Sequence, residues 1–367
     1  MPVKNYNIEQ GIKTAAERYL QEIYELATTP YTVMEVCGTH TVAIAKNALR
    51  DILPSQIRLV SGPGCPVCVT DSSDIDRFLY LAAQPNVITA TFGDMIRVPG
   101  SKKSLQMLRG EGADIRIVYS TLDALELARK NPTKEVVFLG VGFETTVPTV
   151  AVSIESAKNE GLKNYSVLSM HKLVPPVLRA LAEDPETKVD GFLDPGHVCA
   201  IIGTKPIEFM AKDYNKPGVV TGFEGVDVLE GLVMLLRQRA QGRSEIEIQY
   251  QRMVKPEGNP VAQSFIDKVF EPVDAAFRGL GTIEQGGLGI RKGYEDWDAE
   301  KKFDLPVFET VEIPGCRCGQ VLKGQIAPPQ CPLFGRKCTP LAPVGPCMVS
   351  SEGSCAAYYR YAQRSEL

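Results

Sequence analysis

Eight short apolar runs, separated by stretches of helical length, constrain the fold of this 367-residue chain more than any other feature. They lie at residues 32–36, 57–60, 87–92, 115–119, 136–141, 166–170, 190–193 and 218–221. Short runs that are apolar throughout are typical of parallel strands buried on both faces, with crossover helices between them. The sequence therefore predicts an α/β fold.

The last four runs each lie roughly 100 residues after a counterpart among the first four, which is the signature of a repeat. This spacing predicts an internal duplication, with two similar four-stranded parallel-sheet α/β domains. A helical periodicity at residues 8–27 precedes the first strand, and the strand and helix alternation fades after residue 236. We therefore expect an N-terminal helix at 1–30, α/β domains at 31–133 and 134–236, and a mixed segment ending in a smaller iron-sulfur domain at 237–367.

Charge and hydropathy narrow the classes of partner. The formal net charge is -4, which gives no general attraction to nucleic acid or to an anionic membrane. The first residues are polar and lack the apolar core of a secretory signal, and no apolar run approaches the roughly 20 residues that span a bilayer. We expect a cytoplasmic protein, in which clustered cysteines bind metal or do redox chemistry rather than form structural disulfides.

Unusual residues follow the predicted strands where those strands end. Ligands of open α/β sheets bind beyond the carboxyl ends of the strands, and that is where the motifs CGTH, GPGCPVC, GDM, GFETT, MHK and DPGH lie. All three histidines, His40, His171 and His197, are in such motifs, which predicts a shared cleft. Asp94 and Glu144 are candidate proton carriers or hydrogen-bond partners there; surface or capping carboxylates are the alternative.

The CPVC motif, Cys65 to Cys68, has the spacing of a reversible dithiol. If Pro66 is the first helical residue, Cys65 caps the helix and the helix dipole favours its thiolate. Half of a zinc site and ordinary structural cysteines remain alternatives. Cys37 at the end of the first strand can be a nucleophile or a metal ligand, and its predicted proximity to CPVC favours these roles over a plain buried cysteine.

Six of the ten cysteines lie between residue 316 and the carboxyl end. Cys316, Cys331, Cys338 and Cys355 supply four thiolates, the number that a cubane iron-sulfur cluster requires. Zinc takes the same four sulfurs but usually from close CxxC pairs, and the CxC pair of Cys316 and Cys318 is the only close pair here. This favours a cluster over zinc and leaves Cys318 and Cys347 as spare thiols or alternates.

The motifs CGTH, GPGCPVC, TFGDMIRVPGS, GFETTVP, MHKLVPP, PGHVCAIIG and the cysteine-rich ending resemble the HypD family of hydrogenase maturation factors, over residues 31 to 361. The resemblance implies a protein that assembles the Fe(CN)2CO unit of nickel-iron hydrogenase with the chaperone HypC and receives cyanide from HypE, where it is held as a thiocyanate. It implies that Cys37 ligates that iron, that His40 assists, and that Cys65 and Cys68 form a redox pair. It also implies that Cys316, rather than Cys318, joins Cys331, Cys338 and Cys355 in holding a [4Fe-4S] cluster.

Two other classes of function stay open at this point. One is a stand-alone iron-sulfur-dependent dithiol/disulfide reductase, and the other is a zinc-stabilised binding module without electron transfer. The lone Cys37 beside CPVC favours the assembly scaffold over the reductase. Whether the scaffold is itself an enzyme is left open, and we expect a monomer before complex formation.

Overall fold

The computed structural model describes residues 3–311 and 313–361, with side chains from residue 11 onward. Parts of the predicted N-terminal helix segment (residues 1 and 2) and of the predicted tail domain (residues 312 and 362–367) lie outside the described residues. The eight predicted strands are all present, each within two residues of its predicted ends. The strands are β1 Tyr31–Glu35, β2 Ile57–Ser61, β3 Val87–Thr91, β4 Asp114–Ile117, β5 Glu135–Gly140, β6 Tyr165–Ser169, β7 Gly191–Pro195, β8 Gly218–Thr221, β9 Ile246–Ile248, β10 Phe270–Phe277 and β11 Gly281–Ile290.

Two parallel sheets and one antiparallel hairpin are built from these strands. The first sheet has five strands in the order β2-β1-β7-β8-β9, and the second has four in the order β4-β3-β5-β6. Strands β10 and β11 pair with each other. In each parallel sheet the strand order reverses direction once, between β1 and β7 in the first and between β3 and β5 in the second.

The α/β class is confirmed, but the predicted division into two four-stranded units is wrong. Strand β1 pairs with β7, so β1 and β2 share a sheet with β7 and β8 of the second predicted unit, while β3 to β6 form the other sheet. The chain therefore leaves the first sheet after β2 and returns to it at β7. Spacing along the sequence could not reveal this, because doubly buried strands such as β3 look alike in either sheet. The short edge strand β9, with the sequence IEI, was not predicted.

Helices connect the strands and flank the sheets. They are α1 Val3–Leu26, α2 Gly38–Lys46, α3 Leu49–Ile52, α4 Pro66–Val69, α5 Ser72–Ala82, α6 Leu105–Gly110, α7 Thr121–Lys130, α8 Val147–Glu160, α9 Val174–Glu183, α10 Gly196–Ile202, α11 Phe209–Tyr214, α12 Gly225–Ala240, α13 Pro260–Val269, α14 Ala299–Lys302, α15 Cys318–Leu322, α16 Pro346–Val349 and α17 Ser354–Tyr361. Short 3-10 turns lie at Gly93–Met95, Lys205–Ile207, Glu295–Trp297 and Pro328–Gln330. Capping side chains fix the first residues of several helices. Ser120 and Asp123 form a capping box at the start of α7, and the Asp71 side chain caps α5. None of the described helices is both long and apolar enough to cross a membrane.

The buried apolar side chains form three clusters. One lies between α1, α12 and the first sheet, and includes Ile23, Val33 and Leu232. A second covers one face of the second sheet and includes Phe138 and Ile154. The largest contains side chains of both sheets, and it also takes in four tail residues, Cys318, Leu322, Cys347 and Val349. The cysteine-rich tail thus packs into the shared core.

A buried ion pair joins the start of α5 to the loop after β6. The Lys172 ammonium lies 2.9 Å from the Asp74 carboxylate, and both side chains are at least nine-tenths buried. Removing one partner of such a pair leaves an uncompensated charge in a medium of low dielectric constant. The pair therefore fixes the connection between the CPVC region and the second sheet.

We expect Asp74→Asn, which keeps the side chain's size but removes its charge, to lower the free energy of unfolding by about 3 to 5 kcal/mol. The matched control is Glu111→Gln, which breaks the exposed pair with Lys103 and should cost less than about 1 kcal/mol. Urea unfolding followed by circular dichroism measures both values. Equal losses in the two variants would contradict the importance given to the buried pair.

Candidate functional site

A cleft of about 330 Å³ lies where the carboxyl ends of the two sheets meet. The loops after β1 and β7 form one side and the loops after β3 and β5 form the other, so the points of strand reversal of both sheets face the same space. The side chains and backbone that line it are Val36, Cys37, Thr39, Gly64, Pro66, Val67, Phe92, Gly93, Asp94, Met95, Val141, Gly142, Phe143, Thr145, Thr146, Pro195, His197, Val198, Ser350 and Glu352. The predicted cleft at the strand ends is present.

Cys37 lies in the wall of this cleft at the N-cap of α2, with extended backbone angles. Burial raises the pKa of its thiol to about 12, and the nearby Glu352 carboxylate acts in the same direction. The amides of Thr39 and His40 point toward the sulfur and oppose this shift. The free thiol is therefore held protonated, in a position where a metal could displace its proton.

The CGTH and GPGC turns are in direct backbone contact. The Gly38 amide donates a hydrogen bond of 3.1 Å to the Gly64 carbonyl. A Cβ atom on Gly64 would lie 2.2 Å from the Cys37 nitrogen, so no other residue fits there. The predicted proximity of Cys37 and the CPVC motif is confirmed at the level of the backbone.

The CPVC motif forms the short helix α4. Pro66 is its first residue and Cys65 its N-cap, as the sequence predicts, and the Cys68 amide donates to the Cys65 sulfur over 3.3 Å. Cys68 is fully buried, and this burial raises the pKa of its thiol well above the usual range. Pro66 and Val67 face the cleft, whereas Cys68 points to the tail.

A continuous run of thiols leads from CPVC into the tail. The Cys68 and Cys347 side chains are neighbours that influence each other's pKa, and the Cys347 sulfur lies 2.7 Å from the Cys318 sulfur. The contact arises because α16, which starts at Pro346, packs against α4. Sequence reasoning left Cys318 and Cys347 as spare thiols; nothing in their spacing indicates which distant cysteine each would meet.

The four predicted cluster cysteines line a single small pocket. Cys316, Cys331, Cys338 and Cys355 surround it together with Cys318, Cys347 and apolar side chains that include Val321, Leu333 and Phe334. Burial raises the pKa of the Cys316 thiol to about 12, and the neighbouring sulfurs of Cys318, Cys331 and Cys338 add to this effect. The Val344 amide donates to the Cys338 sulfur over 3.3 Å.

The donor set of this pocket has the ligand number of a cubane cluster. A cubane cluster needs one thiolate for each of its four irons, so its ligands are spread around a larger centre. Four cysteines around one apolar pocket satisfy that requirement.

The three histidines do not share the cleft. His197 lines it and stacks on Phe223 with ring centroids 3.9 Å apart. His40 stacks against Phe223 at 4.8 Å, one layer behind the cleft wall, where its Nε2 lies 2.9 Å from the Gly222 carbonyl oxygen. Burial lowers the pKa of His40 to about 4, so the ring is neutral at pH 7.

His171 lies in a different place, and its predicted position in the shared cleft is wrong. It borders a second cavity of about 690 Å³ beside β10 and β11, and its Nδ1 lies 3.0 Å from the Ser169 hydroxyl. Burial lowers its pKa to about 3. The residue follows β6, an edge strand of the second sheet, and this edge position places it away from the point where the strand order reverses.

The two candidate carboxylates, Asp94 and Glu144, also lie in different places. Asp94 lines the cleft and accepts a hydrogen bond of 3.4 Å from the Ser350 hydroxyl. Glu144 is buried beneath its own loop and accepts from the Val174 amide over 2.9 Å. Burial raises the pKa of Glu144 to about 7. Glu144 therefore ties the GFETT loop to α9, while its neighbours Phe143 and Thr145 face the cleft.

Two carboxylates at the site were missed by sequence reasoning. Glu352, from the tail, lines the cleft beside Cys37 and accepts from the Thr39 hydroxyl over 2.9 Å. Glu35, the last residue of β1, accepts from the Thr41 hydroxyl over 2.6 Å, and burial raises its pKa to about 7. An acidic residue in the otherwise apolar first strand could have indicated Glu35. No comparable signal existed for Glu352, because it reaches the site through a contact between distant parts of the sequence.

The raised pKa of Glu144 predicts a pH dependence of stability. Between pH 4.5 and about 7 the folded state keeps a proton that the unfolded state loses, so this carboxyl lowers stability as the pH rises, by up to about 1.4 kcal/mol per pH unit. Glu144→Gln keeps the acceptor for Val174 and should gain stability relative to the wild type between about pH 5 and about pH 7.5. Urea unfolding at both pH values measures this gain. The exposed Glu309→Gln is the control, and a Glu144→Gln gain no larger than that of the control would contradict the assignment.

Comparison with known proteins agrees with these motifs. A family model described as "HypD: Hydrogenase formation hypA family" matches residues 14–362. A hydrogenase maturation factor HypD of Rhodobacter capsulatus is 47% identical, covering 96% of this chain and 95% of the relative. One from Escherichia coli is 44% identical over 99% of this chain and 98% of the relative, and a putative hydrogenase expression/formation protein of Methanocaldococcus jannaschii is 46% identical over 90% and 91%. The chain belongs to the HypD family of hydrogenase maturation factors.

Proposed function

We propose that this chain is a redox-active scaffold on which the Fe(CN)2CO unit of nickel-iron hydrogenase is assembled, together with HypC and with cyanide received from HypE. The observation that carries the proposal is the position of the Cys37 thiol in a cleft formed by the strand ends of both sheets. The iron is cargo here, bound and later passed on. A cleft of about 330 Å³ is within the size range of small-ligand sites.

Cys37 binds the iron as a thiolate, a soft ligand suited to iron that carries carbonyl and cyanide. Because burial holds the free thiol protonated, coordination must remove its proton, and metal binding and proton release are coupled. The Glu352 carboxylate beside Cys37 is placed to receive that proton. Its hydrogen bond with Thr39 holds it against the CGTH turn.

The other polar groups of the cleft act on the ligands of the iron. Asp94 and His197 line the same space; His197 can donate a hydrogen bond to a cyanide nitrogen, and Asp94 can accept one from a donor group of HypC. His40 acts indirectly, because Phe223 stands between the two imidazole rings and stacks on both. His40 therefore positions Phe223 and, through it, His197.

Cys316, Cys331, Cys338 and Cys355 hold a [4Fe-4S] cluster in their apolar pocket. When bound, the cluster supplies electrons one at a time. Its position next to Cys318 and Cys347 makes these two residues the first thiols beyond the cluster ligands. The thiols that connect this pocket to the CPVC motif are therefore, in order, Cys318, Cys347, Cys68 and Cys65.

One disulfide moves along these four cysteines by successive thiol–disulfide exchange. When Cys65 and Cys68 are oxidised, the Cys347 thiolate attacks the Cys68 sulfur and Cys65 leaves as a thiolate that takes up a proton. Cys318 then attacks Cys347, which forms a Cys318–Cys347 disulfide and releases the Cys68 thiol. The restored Cys65 and Cys68 dithiol gives two electrons to a thiocyanate on HypE, which becomes a thiol and cyanide, while Cys65 and Cys68 return to the disulfide.

Replacing Cys37 should abolish iron retention without unfolding the chain. We expect Cys37→Ala, purified anaerobically with HypC, to lose the infrared bands of bound cyanide and carbonyl, because no other thiol lines the cleft among the described residues. Cys199→Ala is the matched control, since Cys199 is equally buried but lies outside the cleft wall. Full retention of the bands in Cys37→Ala would overturn the scaffold assignment.

Metal and acid-labile sulfide analysis under anaerobic conditions tests the tail. We expect about four irons and four sulfides for each chain and a brown colour, with both lost in Cys331→Ser. Cys347→Ser should keep the cluster but block reduction of the Cys65–Cys68 disulfide, measured by thiol labelling and mass spectrometry. Colourless protein with one zinc per chain would instead support a binding module, and turnover of general disulfides without HypC would support a stand-alone reductase.

A further inference from the structure

The outer side of the cysteine pocket is a compact loop, residues 331–338, whose two ends are proposed cluster ligands. The Cys338 amide donates to the Leu333 carbonyl over 2.9 Å, which closes the loop on itself. Both residues line the pocket, whereas Arg336 and Lys337 at the tip of the loop are exposed. The two cations therefore lie within two residues of a cysteine of the pocket.

A second turn follows directly and meets Arg97. The amides of Thr339 and Ala342 each donate to the other residue's carbonyl, over 3.2 and 3.1 Å. Leu341, inside this turn, is 97% exposed. Arg97 is exposed as well, and its Nη1 donates to the Pro340 carbonyl over 3.1 Å. The outer surface of the tail, as we define it, consists of Arg97, Arg336, Lys337 and Leu341.

The cations of this surface are not balanced by acidic partners. Residues 313–351 contain four basic residues and no acidic one, although the net charge of the chain is -4. Arg97, Arg336 and Lys337 take part in no ion pair within the described part of the chain. The outer surface of the tail is therefore a basic area on an acidic protein.

The acidic side chains that meet the tail have other positions. Asp184 pairs with Lys323 at 2.9 Å, and Glu186 accepts from a glutamine of the same segment. Asp94 and Glu352 line the cleft, where each accepts a hydrogen bond from a hydroxyl group. None of these four carboxylates pairs with a cation of the outer surface, so the positive charge there is left for a partner.

We propose that the outer surface of the tail docks a small acidic one-electron carrier protein, which supplies the electrons for the thiol–disulfide exchange proposed above. Three unpaired cations around an exposed leucine favour such a partner, because complementary charges speed encounter and fix orientation. A carrier bound there would lie next to the pocket, since the loop between Cys331 and Cys338 carries two of the cations. The inference rests on the proposed function, because it names the reductant of that same pocket.

The surface suits a protein better than a nucleic acid or an anionic membrane. Nucleic-acid sites gain their affinity from many phosphate contacts, and three cations on a chain of net charge -4 supply few. One exposed leucine also buries too little apolar area for stable attachment to a membrane. Encounters between redox proteins bury little area, which matches a surface of this size.

The electrons balance with two carriers for each disulfide. Each reduced carrier loses one electron and leaves oxidised. The two electrons and two protons from solvent convert the Cys318–Cys347 disulfide of the proposed exchange into two thiols. Donation of one electron at a time matches the iron-sulfur cluster that the four cysteines of the pocket fit.

Binding of an acidic [2Fe-2S] ferredoxin to the anaerobically purified, cluster-loaded chain tests the surface without an assay of activity. We expect the association rate, measured by surface plasmon resonance, to fall about tenfold between about 0.01 M and about 0.15 M salt, as the Debye length shrinks from about 30 Å to about 8 Å. Cytochrome c, a basic one-electron carrier of similar size, should not bind. Ferredoxin binding that ignores salt, or equal binding of cytochrome c, would overturn the proposal.

Charge variants locate the binding. Arg336→Gln combined with Lys337→Gln should slow the association of ferredoxin at low salt by about fivefold, since two exposed charge pairs are lost. Lys255→Gln combined with Lys292→Gln makes the same change of net charge at two exposed lysines of other segments and is the control. Iron and sulfide contents should equal those of the wild type in both double variants, which shows that the pocket is intact. Equal slowing in the two would contradict the site.

Two further measurements test the apolar and the basic parts of the surface separately. Leu341→Ser should raise the dissociation rate of ferredoxin by about threefold with little effect on association, because it removes apolar contact and no charge. Carbodiimide joins lysines to carboxylates, so cross-links mapped by mass spectrometry should concentrate at Lys337. Cross-links spread evenly over the exposed lysines would overturn the proposal.

Other probes separate failure of this surface from failure of the proposed function. Duplex DNA or phosphatidylserine vesicles that bind, and bind less to the Arg336 and Lys337 double variant, would identify another polyanion and overturn the carrier. Zinc in place of iron and sulfide in the wild type would end the redox function, whatever ferredoxin does. If the cluster is present and mild oxidation yields the Cys318–Cys347 disulfide, ferredoxin binding that ignores charge would refute the docking surface alone.

Discussion

The contact between two glycine-containing turns is the constraint on which the site depends. The Gly38 amide bonds to the Gly64 carbonyl, and the missing Cβ of Gly64 leaves room for the Cys37 backbone. Since β1 and β2 are paired neighbours, their carboxyl ends bring the two turns together at one edge of the sheet. A backbone hydrogen bond thus joins the turn that carries the thiol of the cleft to the turn before the CPVC helix, so a shift of one turn displaces the other.

Burial gives the thiols on the two sides of this contact a common property. Cys37 and Cys68 are both held as protonated thiols by desolvation, which protects them from uncontrolled oxidation because the thiolate is the reactive form. Each then needs a specific partner to become active. For Cys37 the partner that we propose is a metal, and for Cys68 it is the Cys347 thiol against which it packs.

The sequence was informative wherever structure is local. Apolar runs predicted eight of the nine strands of the two parallel sheets, and Pro66 predicted the start of the CPVC helix with Cys65 as its cap. It failed where the outcome depends on pairing between distant segments. Three features depend on which buried surfaces match in three dimensions: the joining of β1 and β2 with β7 and β8 in one sheet, the contact of Cys347 with Cys68, and the position of Glu352 beside Cys37. His171 shows the same limit, since its strand lies at an edge of its sheet.

The position of the tail explains why one chain carries both the cleft and the cysteine pocket. The tail has little apolar material of its own, and its buried residues Cys318, Leu322 and Cys347 complete the core between the two sheets. Its loop after α16 also supplies Ser350 and Glu352 to the cleft. A change at the cysteine pocket therefore reaches the cleft by two routes, through the thiols to Cys68 and through the backbone from Cys347 to Glu352, only five residues further along the chain. Loss of order in the tail would disturb the thiol contact and the carboxylate beside Cys37 together, which couples the cysteine pocket to the cleft.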